Sequence, residues 1–299
     1  MKFRNLLMCL LFVGGLSASC IKEDNSDCFN IYRLALSYLG DENSEIFSEK
    51  IDRVDMYVFD GNGTCITSTR LSDAEVAAQL TTLPPLESGT YRIVCVGNAY
   101  VTKVEIIDAK DHSKTSFAAN SYINGETVSG NDPLYWSAIN YTIEPYNEHK
   151  QIETKTTYFE SSHYDILVEL VGVPALKSER DVQILLRAVS PYTDFNNNVF
   201  GDATTYVMET VHDGNITLSS ANNIMRHKNH EDVYVDVVVG GDVIASVNFA
   251  DHIANHKIDT GLNECIIPFK IIMEATHVKV TVPDWFINNV TPDFGNPNE

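Results

Sequence analysis

Two histidine pairs, one run of spaced acids and amides, and six cysteines are the residues whose types and spacing could carry chemistry. His252-Ile253-Ala254-Asn255-His256 sets two imidazoles four positions apart, which on a helix puts them on one face. A zinc protease with that spacing needs a glutamate general base directly after the first histidine, and Ile253 stands there instead. The pair therefore reads as surface histidines following a strand. His227 and His230 read as loop residues. Asp194, Asn196, Asn198 and Asp202 are spaced like the start of a calcium loop. Val199, however, sits where such a loop turns on glycine, and Thr205 where it needs a bidentate glutamate. A polar turn is the simpler reading. No GxSxG elbow, P-loop or GxGxxG occurs. With 41 acidic residues in the chain, a pair of carboxylates identifies no chemistry. The expectation is a protein that binds, with no catalytic residues, cofactor or metal.

Cys20 is the exception, because its surroundings give it a reaction. Met1 to Ser19 carries Lys2 and Arg4, an apolar run from Leu6 to Val13, and small residues ahead of the cysteine. That order is an export signal, with an apolar core shorter than the ~20 residues that span a bilayer. Leu16-Ser17-Ala18-Ser19-Cys20 resembles a bacterial lipobox, although the leucine lies four positions before the cysteine instead of three. Cleavage there would leave Cys20 as first residue, its thiol carrying a diacylglyceryl group and its amine a third acyl chain. Two or more chains anchor stably, where one binds marginally. A secreted protein with Cys20 unmodified is the other reading. Lys22, Glu23 and Asp24 then resemble the surface-export signal of lipoproteins in the phylum to which the Bacteroidales belong, or serve as a plain polar tether.

Cys9 lies within the signal, which leaves Cys28, Cys65, Cys95 and Cys265. An oxidising periplasm permits a disulfide, and Cys65 with Cys95, in neighbouring strand segments, is the preferred pair. Free buried thiols are the alternative.

The elements that would position these residues are strands. Val54, Met56 and Val58 share one face of a segment whose other face carries Tyr57 and Phe59, and Asp60-Gly61-Asn62-Gly63 closes it as a turn. Tyr91 to Val96 is apolar on both faces apart from Arg92, as a central strand would be. Tyr164 to Leu170 and Val182 to Ala188 alternate. Val233 to Val239, Gly240-Gly241-Asp242 and Val243 to Phe249 form a hairpin pattern. Val278, Val280 and Val282 line a last strand that Pro283 stops. Helix is scarce: Ser72-Asp73-Ala74-Glu75 is a capping box opening a run to Leu80, and a second short helix covers Ala250 to His256. Asp111 to Asp132 reads as a long loop, and the polar stretch Glu144 to Thr156 as a domain boundary. Trp285 ends a strand, where it is either core or a docking residue.

At 299 residues, with 44% hydrophobic and 10% aromatic content, the chain has material for two domains of roughly 130 residues. The division expected is a signal over 1–19, one domain over 20–150, and a second, with a polar tail, over 151–299. Net charge is −20, and −22 once Lys2 and Arg4 are removed, which repels phosphate backbones and excludes a nucleic-acid partner.

SCIKEDNSDC at Ser19 to Cys28, VDMYVFDGNG at Val54 to Gly63, GTYRIVCVGN at Gly89 to Asn98, PYTDFNNN at Pro191 to Asn198 and HVKVTVPDW at His277 to Trp285 follow in order. As an ordered set they resemble the FimB-type fimbrial anchor-subunit family of Bacteroidales. Cys95-Val96-Gly97-Asn98 departs from relatives that carry tryptophan before the glycine, and Phe286 to Glu299 runs past the usual ending. The resemblance implies an all-β chain of two tandem transthyretin-like β-sandwich domains with short helical insertions. It also implies a lipoprotein anchored to the outer membrane, exposed at the cell surface at the base of a fimbrium. There it would attach the stalk subunit (pilin) by strand addition and limit polymer length. The alternative function is a surface lipoprotein that binds a glycan or host ligand.

Overall fold

The computed structural model describes residues 30–106, 115–146, 152–172, 182–213, 217–227, 230–274 and 277–287. The export segment, Cys20, Lys22, Glu23, Asp24 and Cys28 lie outside them.

Strands dominate. The first are β1 (Ile31–Ser37), β2 (Val54–Phe59), β3 (Cys65–Arg70), β4 (Leu80–Thr82) and β5 (Gly89–Gly97). Then come β6 (Thr102–Ile106), β7 (Thr115–Ala119), β8 (Tyr135–Ile143), β9 (Ile152–Tyr158) and β10 (Glu160–Ser161). Next are β11 (His163–Val171), β12 (Val182–Val189), β13 (Tyr192–Asp194), β14 (Val199–Phe200), β15 (Thr204–Met208) and β16 (Val211–His212). The last are β17 (Thr217–Met225), β18 (Tyr234–Val239), β19 (Asp242–Asn248), β20 (Ile266–Met273) and β21 (Val278–Thr281). Short helices intervene: α1 (Phe47–Lys50), α2 (Asp73–Ala77), α3 (Asn120–Ile123), α4 (Phe249–His256) and α5 (Asp284–Ile287). The fold is all-β, as the alternation of apolar residues demands.

Three apolar clusters hold the sheets together. In the first, β4-β1-β9 packs on one face of the five-stranded sheet β10-β8-β5-β2-β3. Side chains alternate across a strand, so β2 sends Val54, Met56 and Val58 into this cluster and Tyr57 and Phe59 out of the other face. That other face is buried too. It meets the sheet β14-β13-β7-β6, with Phe59, Val94, Val96, Phe117 and Phe195 in the third cluster between them. The largest cluster lies between β16-β17-β11-β20-β21 and β15-β12-β18-β19. Most ladders are antiparallel, but β1–β9 and β11–β20 run parallel, each joining distant stretches of chain.

Two expectations require correction. The stretch Asp111 to Asp132 is not a loop throughout, since β7 and α3 fall within it. Phe117 is buried in the third cluster and Ala119 and Val128 in the largest. Polar neighbours hide a strand that lies between β6 and the much later β13. The capping box is real: Ser72 Oγ accepts from Glu75 N–H, and the Glu75 carboxylate accepts from Ser72 N–H at 2.9 Å. The helix it opens nevertheless stops at Ala77, because Gln79 turns left-handed (φ 52) and Leu80 begins β4.

Candidate functional site

His227, His230 and His252 are buried, which corrects the surface reading of His252, while His256 is half-buried. Helix α4 is capped by Asn248, whose side chain accepts from Asp251 N–H at 2.9 Å, and Lys257 closes it in the left-handed region (φ 54). Phe249, His252 and Ile253 form its inner stripe. His252 stacks on Phe269 with ring centres 4.0 Å apart and shares a 2.9 Å hydrogen bond with the Pro268 carbonyl through Nε2. Burial pushes its pKa down to about 4. His256 lies 4.6 Å from it, ring to ring. His227 and His230 do sit in a loop, but packed inward against Tyr164, and burial lowers both, His230 to about 4. Among the described residues no three histidines, cysteines or carboxylates converge to hold a metal ion.

Asp194 is committed to a turn. Its Oδ1 accepts from the N–H groups of Asn196 and Asn198 at 2.8 and 2.9 Å. Asp60 does the same for Asn62 and Thr64, both at 2.9 Å, and Gly63 (φ 80) and Asn197 (φ 61) occupy matching left-handed positions. Arg92, paired with Phe59, reaches Asn196 at 3.1 Å, so the twin turns stand side by side. A carboxylate that closes its own turn in this way is a structural device.

Cys65, Cys95 and Cys265 are free thiols. The expected Cys65–Cys95 bridge does not form, because β2 runs between β3 and β5. The two side chains also serve opposite faces, Cys95 in the first cluster and Cys65 against the third. Burial pushes the Cys95 thiol up to about 12.

Sheet edges are the surfaces that can still bind. In β15-β12-β18-β19 one edge is covered, since Val207 N–H of β15 donates to the Val128 carbonyl at 2.8 Å. Among the described residues no strand pairs with the opposite edge, β19, along Asp242-Val243-Ile244-Ala245-Ser246-Val247-Asn248, with Asp242 its sole charge. Val243 is 59% exposed. Open edges are normally blunted by charge or proline, and this one is not. It is also held firmly: Asp236 accepts from Ser246 Oγ at 2.6 Å and from Arg187 Nε at 2.8 Å, joining β12, β18 and β19.

A second feature ties the stretch from Tyr38 to Lys50 to the loop that leads into β20. Asp41 accepts from the N–H groups of Asn263 and Glu264 at 2.6 and 3.2 Å, and Asn263 Nδ2 donates to the Leu39 carbonyl at 2.9 Å. Glu264 pairs with Lys50 and accepts from the Tyr38 and Tyr135 hydroxyls. Arg226 secures the same loop through the Thr260, Leu262 and Asn263 carbonyls. Sequence reasoning missed this clamp, which unites residues with no local pattern.

A family model for the fimbrillin-A associated anchor proteins Mfa1 and Mfa2 matches residues 25–291. The chain belongs to this family. Among solved structures, the fimbrial anchor protein Mfa2 from Porphyromonas gingivalis is similar, with a TM-score of 0.67 at 13% identity, over 85% of this chain and 98% of that one. A candidate adhesin from Bacteroides ovatus gives a TM-score of 0.68 at 14% identity, over 86% and 94%. A candidate polysaccharide-binding protein from Bacteroides thetaiotaomicron gives 0.64 at 13%, over 84% and 96%. Identities this low carry the fold alone. No curated protein sequence matches.

Four of the five motifs that resemble the fimbrial anchor family are framework, and SCIKEDNSDC lies outside the described residues. VDMYVFDGNG is β2 with the Asp60 turn, GTYRIVCVGN is β5, PYTDFNNN is β13 with the Asp194 turn, and HVKVTVPDW is β21 leading into α5. Asn98, left-handed at φ 58, accepts from Asp52 N–H at 3.0 Å and donates to the Lys50 carbonyl at 2.7 Å. It pins α1 beside the entry to β2. Among the described residues no helix is long and apolar enough to cross a membrane.

Proposed function

We propose that this anchor-family member is an outer-membrane lipoprotein at the base of a fimbrium, tethered through acylated Cys20. Lys22, Glu23 and Asp24 direct it to the outer face, and it holds the pilin stalk subunit by strand addition while limiting polymer length. The body works as two tandem sandwich domains, with β9 and β10 counted in the first, so that the division expected near residue 150 moves to just after Ser161. A fimbrium-associated role at the cell surface follows from family membership. The observation that carries the finer reading is the position of Cys20 behind small residues, five positions before the family match begins.

Strand addition draws support from β19. An incoming strand would find unpaired main-chain groups there, with Val243 and Ile244 available for side-chain contacts. Main-chain hydrogen bonds would supply affinity, and alternate side chains specificity. The chain's net charge of −20 opposes any nucleic-acid role.

Metabolic labelling with radioactive palmitate tests the tether. The wild-type protein is expected to take up label and begin at Cys20 after processing, and Cys20→Ala to take up none. A mature chain that begins elsewhere, or label retained by Cys20→Ala, overturns it.

A further inference from the structure

We infer that the recess beside Trp285 is a saccharide-binding site for a neutral or amino sugar oligomer, a property separate from the anchoring role. Its volume is about 840 Å³, and its walls are the C-terminal end of α4, the loop leading to Glu264, the rim of β20 and β21, and α5. That volume falls in the range of small-molecule sites, roughly 300–1,000 Å³.

The lining is of two kinds, and they are combined as a sugar requires. Trp285 is half-buried and braced edge-on by Phe286, ring centres 5.9 Å apart at 83°, which holds the indole in place. Leu262 and Ile287 stand at the rim, 42% and 66% exposed. Together with Trp285 they turn apolar surface toward the recess. Around them sit Asn255, Glu42 and Asp259. Asp259 uses Oδ1 on Gly261 N–H at 2.9 Å, and no protein donor among the described residues takes its other oxygen. A pyranose ring has an apolar C–H face that lies on an aromatic ring and an equator of hydroxyls that bond planar amides and carboxylates. A lipid would find too many carboxylates here, and a purely polar ligand would leave Trp285 unused.

Charge narrows the class. With Glu264 already paired to Lys50, Glu42 and Asp259 still outnumber Lys257 at the recess, so a uronic or sialic acid would meet net repulsion. A neutral hexosamine, or a free amino sugar, meets none. The recess also borders the Asp41 and Glu264 clamp, which ties down one of its walls, the loop leading to Glu264.

The chain has two tryptophans, Trp136 and Trp285, which makes the test direct. Trp136 donates its indole N–H to the Phe195 carbonyl at 3.2 Å and does not line the recess. In Trp136→Phe, titration with chitotriose or glucosamine trimer is expected to give a saturable change in the remaining tryptophan emission below ~10 mM. Calorimetry on the otherwise unaltered chain should show binding that Trp285→Ala abolishes. Asp259→Asn should weaken it about tenfold at unchanged melting temperature, a loss of roughly 1.4 kcal/mol. Three results overturn the assignment: no saturable heat with either oligomer, binding that survives Trp285→Ala, or binding confined to trigalacturonate.

Discussion

Tyr38 and Glu264, 226 residues apart in sequence, share a hydrogen bond, with the phenol donating to Oε1. The same carboxylate accepts from Tyr135 and pairs with Lys50. Burial, and then this acidic partner, raises the Tyr38 hydroxyl far above its ordinary range, so it remains a donor at every pH the protein meets. Glu264→Ala leaves two phenols and an ammonium without an acceptor and should cost about 2–4 kcal/mol. Tyr38→Phe, which removes one donor, should cost about 1 kcal/mol. Urea denaturation measures both, and a loss under about 0.5 kcal/mol for Glu264→Ala would mean the clamp contributes little.

Acid should loosen the largest core. His230 and His252 both have folded pKa values near 4, below the ordinary 6.5, because burial disfavours the imidazolium. Between those values the unfolded chain binds protons that the native state refuses, so stability falls as pH drops from above 6.5 toward 4. Each group contributes up to roughly 3 kcal/mol across that window. Melting temperature from pH 8 to pH 4 should show the decline, and His252→Leu should flatten it. A variant as steep as the wild type contradicts the assignment.

Phe195 caps the third cluster. Its ring meets Tyr57, Phe59 and Phe117 edge-on at 4.9, 5.6 and 5.8 Å, bringing β2, β7 and the β13 turn to one point. Phe195→Ala should lose about 3–5 kcal/mol, through both lost burial and the cavity left behind. Chemical denaturation decides it, with a loss near 1 kcal/mol as the contrary result.

Much of this was legible one strand at a time. Val54, Met56 and Val58 against Tyr57 and Phe59 announced a strand and its two faces, both of which the structure buries, and the hairpin turning at Gly240-Gly241 stands as read. Pairings between distant segments were not legible, because nothing local marks β1 and β9 as parallel neighbours, or Phe195 as the cap for Phe59. The histidines misled for a related reason. His252 looks polar in sequence, yet one carbonyl and one aromatic face satisfy it inside the core. At the site, the spacing around Asp194 signalled a turn, while Trp285 was noted without the recess that gives it meaning.

Edge strand β19 separates folding from assembly. Val243 is 59% exposed, so Val243→Lys should change stability by less than about 0.5 kcal/mol. A lysine there guards the edge, and co-purification of the stalk subunit should fall at least tenfold. Undiminished co-purification would move the partner's strand to another edge.

The most direct measurement is where the fimbriae go in cells carrying Cys20→Ala at the native locus. Fimbrial polymer counted by electron microscopy, on cells and in cell-free medium, should shift from cell-bound to shed, with filaments longer than wild type. Fimbriae that remain attached at wild-type length would contradict a lipid-tethered anchor.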